Sequence, residues 1–218
     1  MRIALIHALT HSIAPINDAF AKFWPETTRV NLLDDSLSAD LAAGGGLLDE
    51  AMHARFATLA DYAVNSGAHG ILFTCSAFGS CIERVANIHS TIPVLKPNEA
   101  MISEAAAATS KSGAAVGLIA SFAPTLQSMP PEFPATTSLD CELVEHAMVA
   151  LNAGDFAAHD AAVLSAASKL KSRGVGVIAL AQFSMARAAD AVAAATGLPV
   201  LTTPASAVRL LKRRLDIR

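Results

Sequence analysis

Residues 3–8 read IALIHA and residues 116–121 read VGLIAS. Each is a short apolar run of the kind that forms a strand buried on both faces of a parallel sheet. Working outward, the two runs carry the same landmarks in the same order. Pro15 is matched by Pro124, and PETT at 25–28 by PATT at 134–137. GAHGIL at 67–72 is matched by GVGVIA at 174–179, and IPVL at 92–95 by LPVL at 198–201. The offset stays between 113 (3 to 116) and 106 (92 to 198), so the chain reads as one unit written twice.

Within the first copy, Ile3–Ile6 is the first strand, Pro15 to Phe23 a helix, and Arg29–Leu33 a second strand. Leu48, Met52, Phe56, Leu59 and Ala63 recur at spacings of three and four, one apolar helix face that stops near Gly67. Gly70–Thr74 is a third strand, Ile82–Ile88 lies on the next helix, and Pro93–Leu95 is a fourth strand. Asn98 is placed to cap a helix from Glu99 to about Ser110. The second copy repeats this from Val116 and closes with a helix after Pro204. Alternating strands and helices predict an α/β fold of two pseudo-symmetric lobes, each a parallel sheet flanked by helices. The expected partition is 1–97 plus 203–218 for the first lobe and 98–202 for the second. Ligands in open parallel sheets bind beyond the carboxyl ends of the strands, which puts the expected site in the cleft between the lobes.

Composition excludes several function classes. Hydrophobic residues make up 53% and charged residues 16%, which is incompatible with a disordered chain. The net charge is −3, and the one compact basic cluster is Lys212-Arg213-Arg214, so no nucleic-acid partner is expected. No apolar stretch is long enough for a membrane helix, and the run in MRIALIHALTHS is too short for a signal peptide. Three widely spaced cysteines without CxxC read as reduced, cytoplasmic thiols. No GxGxxG or Walker-type loop follows the first strand, which speaks against a nucleotide site.

Thr74-Cys75-Ser76-Ala77-Phe78-Gly79 follows the third strand. Backbone N–H groups and a helix dipole there would favour an anion and lower the pKa of Cys75, making it a base or a nucleophile. A buried packing cysteine is the plainer alternative. Thr74, Ser76 and the loop amides, that of Ala77 included, are candidate oxyanion donors. Aligning Gly67 with Gly174 sets Gln182 opposite Cys75, and glutamine cannot exchange a proton at neutral pH. It is left to bind a substrate oxygen or to brace its own turn.

The loop His7-Ala8-Leu9-Thr10-His11-Ser12 is about four residues longer than its counterpart after Ala120. His7 and His11 are candidates for a second acid or base, since histidine titrates near neutrality. The spacing of four lacks a third ligand, so no metal is expected. Ser121 and Thr125, in the matching loop, are candidate substrate binders. Phe78 and Phe183 hint at an apolar side pocket, Lys96 could meet a carboxylate or Glu99, and Gly44-Gly45-Gly46 is a lid or a plain linker by composition. His53, His69, His89, His146 and His159 read as surface or satisfied core residues.

A strand ending in Thr74-Cys75-Ser76 and opening a helix, inside a duplicated α/β chain of this length, resembles the aspartate/glutamate/hydantoin racemase superfamily. That group also includes maleate isomerase and arylmalonate decarboxylase. The resemblance implies a cofactor-independent enzyme acting at the carbon alpha to a carboxylate or carbonyl of a small acid, and it is compatible with a homodimer. Its racemases use one cysteine per lobe, and Gln182 departs from that pattern. A one-base decarboxylase or lyase is therefore the alternative reaction. In the decarboxylase pattern, however, the retained cysteine belongs to the second lobe. A non-catalytic small-anion binder is the alternative outside enzymes.

Overall fold

Arg2–His7 (β1) has five buried residues in succession after Arg2, so both faces of the strand need a cover. The computed structural model, which describes residues 1–216, supplies those covers. The chain continues through α1 (Ile13–Phe23), β2 (Thr28–Leu33), α2 (Ser36–Ala43), α3 (Glu50–Asn65), β3 (Gly70–Phe73), α4 (Gly79–Ile88) and β4 (Val94–Leu95). It then repeats: α5 (Glu99–Thr109), β5 (Val116–Ala120), α6 (Ala123–Ser128), β6 (Leu139–Leu143), α7 (Glu145–Asn152), α8 (Phe156–Ser172), β7 (Val177–Leu180), α9 (Ala189–Thr196), β8 (Val200–Thr202) and α10 (Thr203–Asp216).

Each copy forms its own four-stranded parallel sheet, ordered β2-β1-β3-β4 and β6-β5-β7-β8. The central strands β3 and β7 are buried throughout, whereas the edge strands β2 and β6 are only half-buried. One compact unit spans Met1–Pro97 with the chain from Ala207 onward, and the other spans Asn98–Ser206.

Strand alternation decides which side chains meet which helix. In the first unit Ala4, Ile6, Ile71 and Phe73 face Leu37 of α2, Met52, Phe56, Ala60 and Ala63 of α3, and Ile82 and Val85 of α4. On the other face α10 lies close to β3. A Cβ at Gly70 would sit 3.2 Å from Leu211 Cδ1 and 3.4 Å from Leu215 Cδ1, so a larger residue there would push the helix away. In the second unit Ile119, Ile178 and Leu180 face α8 and α9, while Val116, Leu118, Val177 and Ala179 face Met101, Ile102 and Ala105 of α5. The helix that follows β4 thus packs in the second unit, and most of the helix that follows β8 packs in the first.

Two helices separate the second and third strands of each copy, where the sequence pattern indicated one. The short members, α2 and α7, were hidden because they bury few residues: Leu37 in α2, and Ala147 and Leu151 in α7. The glycine run after α2 is a capping turn. Gly44 N–H donates to Asp40 O at 2.9 Å and Gly46 N–H to Leu41 O at 2.8 Å, with Gly45 and Gly46 at φ of 67° and 83°. Left-handed geometry of this kind favours glycine. Arg55 then ties α3 to the segment before it, reaching Asp34 (2.6 Å), Ser36 (2.6 Å) and Asp40 (2.5 Å). Asn98 precedes α5 but does not cap it; its amide donates to Glu132 Oε1 at 3.2 Å. Among the described residues no helix is long and apolar enough to cross a membrane.

Candidate active site

The carboxyl ends of β1 and β3 lie side by side, because Ile6 pairs with Phe73 and Thr74 N–H continues the ladder to Ile6 O at 3.0 Å. This register brings His7 beside Thr74. His7 is fully buried, and its ring is held on both sides. Nδ1 lies 2.9 Å from Thr74 Oγ1 and 3.0 Å from Ser12 Oγ, while Nε2 lies 2.9 Å from Asn31 Oδ1 on β2. Ser12 Oγ is also 2.8 Å from Thr74 Oγ1 and 2.8 Å from the carbonyl of Leu9. Asn17 on α1 donates from Nδ2 to Asn31 Oδ1 (3.0 Å) and to the carbonyl of Ile13 (2.8 Å). Ser12, Asn17 and Asn31 were not singled out from sequence. The available signal was Asn31, a polar residue interrupting the apolar run Val30–Leu33.

Burial lowers the pKa of His7, and the contact with Asn31 opposes that shift. A histidine whose folded pKa is lowered binds fewer protons folded than unfolded between the two values. Its contribution to stability is therefore complete above the unfolded value, about 6.5, and is lost as pH falls from there toward the folded value. The unfolding free energy in urea is expected to drop between about pH 7.5 and about pH 5.5, and less steeply in His7→Gln. Equal slopes in the two proteins would count against this assignment.

Cys75 follows Thr74 and is half-buried. Its thiol and His7 line one narrow recess with Leu37, Phe56 and Phe73, too tight to admit a water molecule. The expectation of a lowered thiol pKa is corrected here. Desolvation against this apolar wall pushes the Cys75 thiol above its ordinary value, and the N–H of Ala77 only partly offsets it. A short 3₁₀ turn, Ser76–Phe78, also stands between Cys75 and α4, so the helix begins four residues later. Ser76 is half-buried and Ala77 exposed, both beside the thiol in sequence. Phe78 is a core residue with its ring 4.9 Å from that of Phe56. His11 is exposed on the turn Thr10–Ser12, the five-residue loop (8–12) that replaces two residues (121–122) in the other copy. Lys96 pairs with Glu83 at 2.9 Å.

The second unit repeats the register with other chemistry. Ala181 N–H donates to Ile119 O at 2.9 Å, as Thr74 does to Ile6, so Gln182 occupies the position of Cys75. Its Oε1 accepts from Ser121 N–H (2.9 Å) and lies 3.5 Å from Ser121 Oγ, and its Nε2 donates to Thr125 Oγ1 at 2.8 Å. Three candidate binders are thus brought together, while Phe183 is buried, with 5% exposure. Gln182→Ala would leave the Ser121 N–H without its acceptor. A loss of about 1–3 kcal/mol is expected in chemical denaturation, and a loss below about 0.5 kcal/mol would mean the turn holds itself. His159 departs from the expected satisfied core histidine: Nδ1 meets Asp160 at 2.8 Å, but the buried Nε2 has no hydrogen-bond partner. Among the described residues no group of three or more His, Cys, Asp or Glu is placed to hold a metal ion.

No protein-family model and no curated protein matches the sequence. Solved structures do. Allantoin racemase from Pseudomonas fluorescens superposes with a TM-score of 0.70 at 17% identity, covering 100% of this chain and 92% of that one. The chain has the Asp/Glu/hydantoin racemase fold. Aspartate racemase from Picrophilus torridus gives a TM-score of 0.70 at 13% identity, covering 98% and 94%. A mutant arylmalonate decarboxylase gives 0.65 at 12% identity, covering 99% and 94%. The racemase fold therefore extends over the whole duplicated chain, and these identities speak for the fold alone.

Proposed function

We propose that this protein is a cofactor-independent enzyme of the racemase/isomerase type, acting at the carbon alpha to a carboxylate or carbonyl of a small acid. Cys75 is the proton donor and acceptor. The observation that carries this reading is the position of Cys75: a single thiol beyond the end of a central strand, facing the same recess as a buried histidine. Thr74, Ser76 and the Ala77 amide are the candidate oxyanion donors, and Ser121, Thr125, Gln182 and Phe183 the binding residues of the second copy. His7 is the second proton-exchanging group of the first unit, and His11 a further candidate on the exposed loop.

Two observations favour one-sided protonation, as in a decarboxylase or lyase, over symmetric racemisation. Gln182 stands where the repeat would place a second thiol, and burial keeps the resting Cys75 thiol protonated. A thiol in that state is ready to deliver a proton to an enediolate. The exposed side chains beside the two strand ends are apolar at matching positions: Leu9 with Leu33, and Phe122 with Leu143. They favour an acid with an apolar substituent.

The test is exchange in D2O. Racemic 2-substituted acids, hydantoins and malonates are incubated with the protein and followed by proton NMR and by release of carbon dioxide. Loss of the α-proton signal indicates racemisation, and deuterium entering one face with loss of carbon dioxide indicates decarboxylation. Both should fall by about 10²–10⁴-fold in Cys75→Ser. Binding without either reaction would instead make the protein a small-anion binder.

A further inference from the structure

We infer that Asn31, held by Asn17, is a positioning residue that keeps the proton of neutral His7 on Nε2 and turns the bare Nδ1 toward Thr74 and Ser12. The argument starts from an atom with one possible role. The carbonyl of Ile13 can only accept, so the nitrogen of the Asn17 amide must be the atom 2.8 Å from it. That nitrogen carries two hydrogens, and the second points at Asn31, 3.0 Å away. Asn31 must answer with its oxygen. The same oxygen lies 2.9 Å from His7 Nε2, which must therefore be the donor. A neutral imidazole has one N–H, so Nδ1 is left with its lone pair.

The other end of the network is anchored in the same way. The carbonyl of Leu9, 2.8 Å from Ser12 Oγ, can only accept. Four short contacts join these atoms: Nδ1 to Thr74, Nδ1 to Ser12, Thr74 to Ser12 and Ser12 to Leu9. The two hydroxyls supply two protons for them. A proton added at Nδ1 supplies a third, each hydroxyl then donating to the next acceptor, and with Nε2 already protonated Nδ1 is the one ring nitrogen left to take it up. Of the neighbouring titratable side chains, Cys75 shares the recess, and Asp34, which follows β2, is paired with Arg55 and Ser36. A backbone-anchored relay pointing toward Thr74 gives this strand end a proton acceptor of fixed direction. Its catalytic consequence rests on the function proposed above; the tautomer itself does not.

The experiment is nitrogen-15 NMR of the imidazoles in the full-length protein, with His7 assigned by its loss in His7→Gln. At neutral pH the expected pattern is a protonated Nε2 and a bare Nδ1. Asn31 is exposed on an edge strand, so Asn31→Leu should fold. It should shift both His7 resonances toward an averaged pair, and Asn31→Asp, which keeps an acceptor, should restore the parent pattern. Asn17→Ala should loosen it in the same direction as Asn31→Leu. A proton on Nδ1 in the parent protein, or an unchanged pattern in Asn31→Leu, would overturn the inference. Once a turnover is found, Asn31→Leu should lower kcat about tenfold or more at little change in KM, with rescue by Asn31→Asp. The spectra decide the positioning role even if no turnover is found, so the two readings fail separately.

Discussion

Cys75→Ser is expected to lower α-proton exchange or decarboxylation by about 10²–10⁴-fold, the contribution typical of a positioned acid or base. That is roughly 3–5 kcal/mol of transition-state stabilisation. The substitution keeps the size of the side chain and an atom able to accept from the Ala77 N–H. What it removes is acidity: a serine hydroxyl does not release its proton in the range where a thiol does. Burial already holds the Cys75 thiol above its ordinary pKa, so the rate should keep rising with pH if abstraction limits turnover, and should not if protonation does. Cys141→Ser, on the exposed cysteine of the edge strand β6, is the control and should leave turnover unchanged. Full turnover in Cys75→Ser would remove the thiol from the mechanism.

The repeat made the fold legible because it is written in the buried strands. IALIHA and VGLIAS become β1 and β5, and the sheets around them have the same strand order. The equivalence of Cys75 and Gln182, inferred by aligning Gly67 with Gly174, coincides with the ladder contacts of Thr74 and Ala181. Such inferences succeed because side-chain alternation ties sequence position to one face. Short helices carry no comparable signal, and α2, with Leu37 its single buried residue, went unseen.

The sign of the Cys75 shift differs from the sequence expectation for a related reason. Local sequence displays the amides that would stabilise a thiolate, while the wall that desolvates it comes from distant segments: Leu37, Phe56 and Phe73. The partners of His7 show the same limit. Thr74 and Asn31 are 67 and 24 residues away, and only strand register brings them together. His11, equally prominent in the sequence, stands exposed on the loop that is three residues longer than its counterpart in the second copy.

Phe56→Ala is expected to cost about 3–5 kcal/mol of unfolding free energy, the range for removing a fully packed phenylalanine. Phe56 is 2% exposed on α3, with its ring 5.2 Å from that of Phe73 and 4.9 Å from that of Phe78. Those partners come from β3 and from the turn into α4, so the ring joins three segments that converge on Cys75. Truncation loses the transfer free energy of the ring and opens a void that Phe73, fixed in a central strand, is poorly placed to fill. Phe56→Leu retains most of the volume and should cost clearly less. The void would also adjoin the recess behind Cys75. If water enters it, the desolvation that raises the thiol pKa is relieved, and Cys75 should alkylate faster at neutral pH in Phe56→Ala than in the parent protein. Urea denaturation and iodoacetamide labelling of the folded variant measure the two effects on one sample. Destabilisation with unchanged labelling would mean the void stays dry, and a cost under about 1 kcal/mol would mean the aromatic cluster is not the support of this strand end.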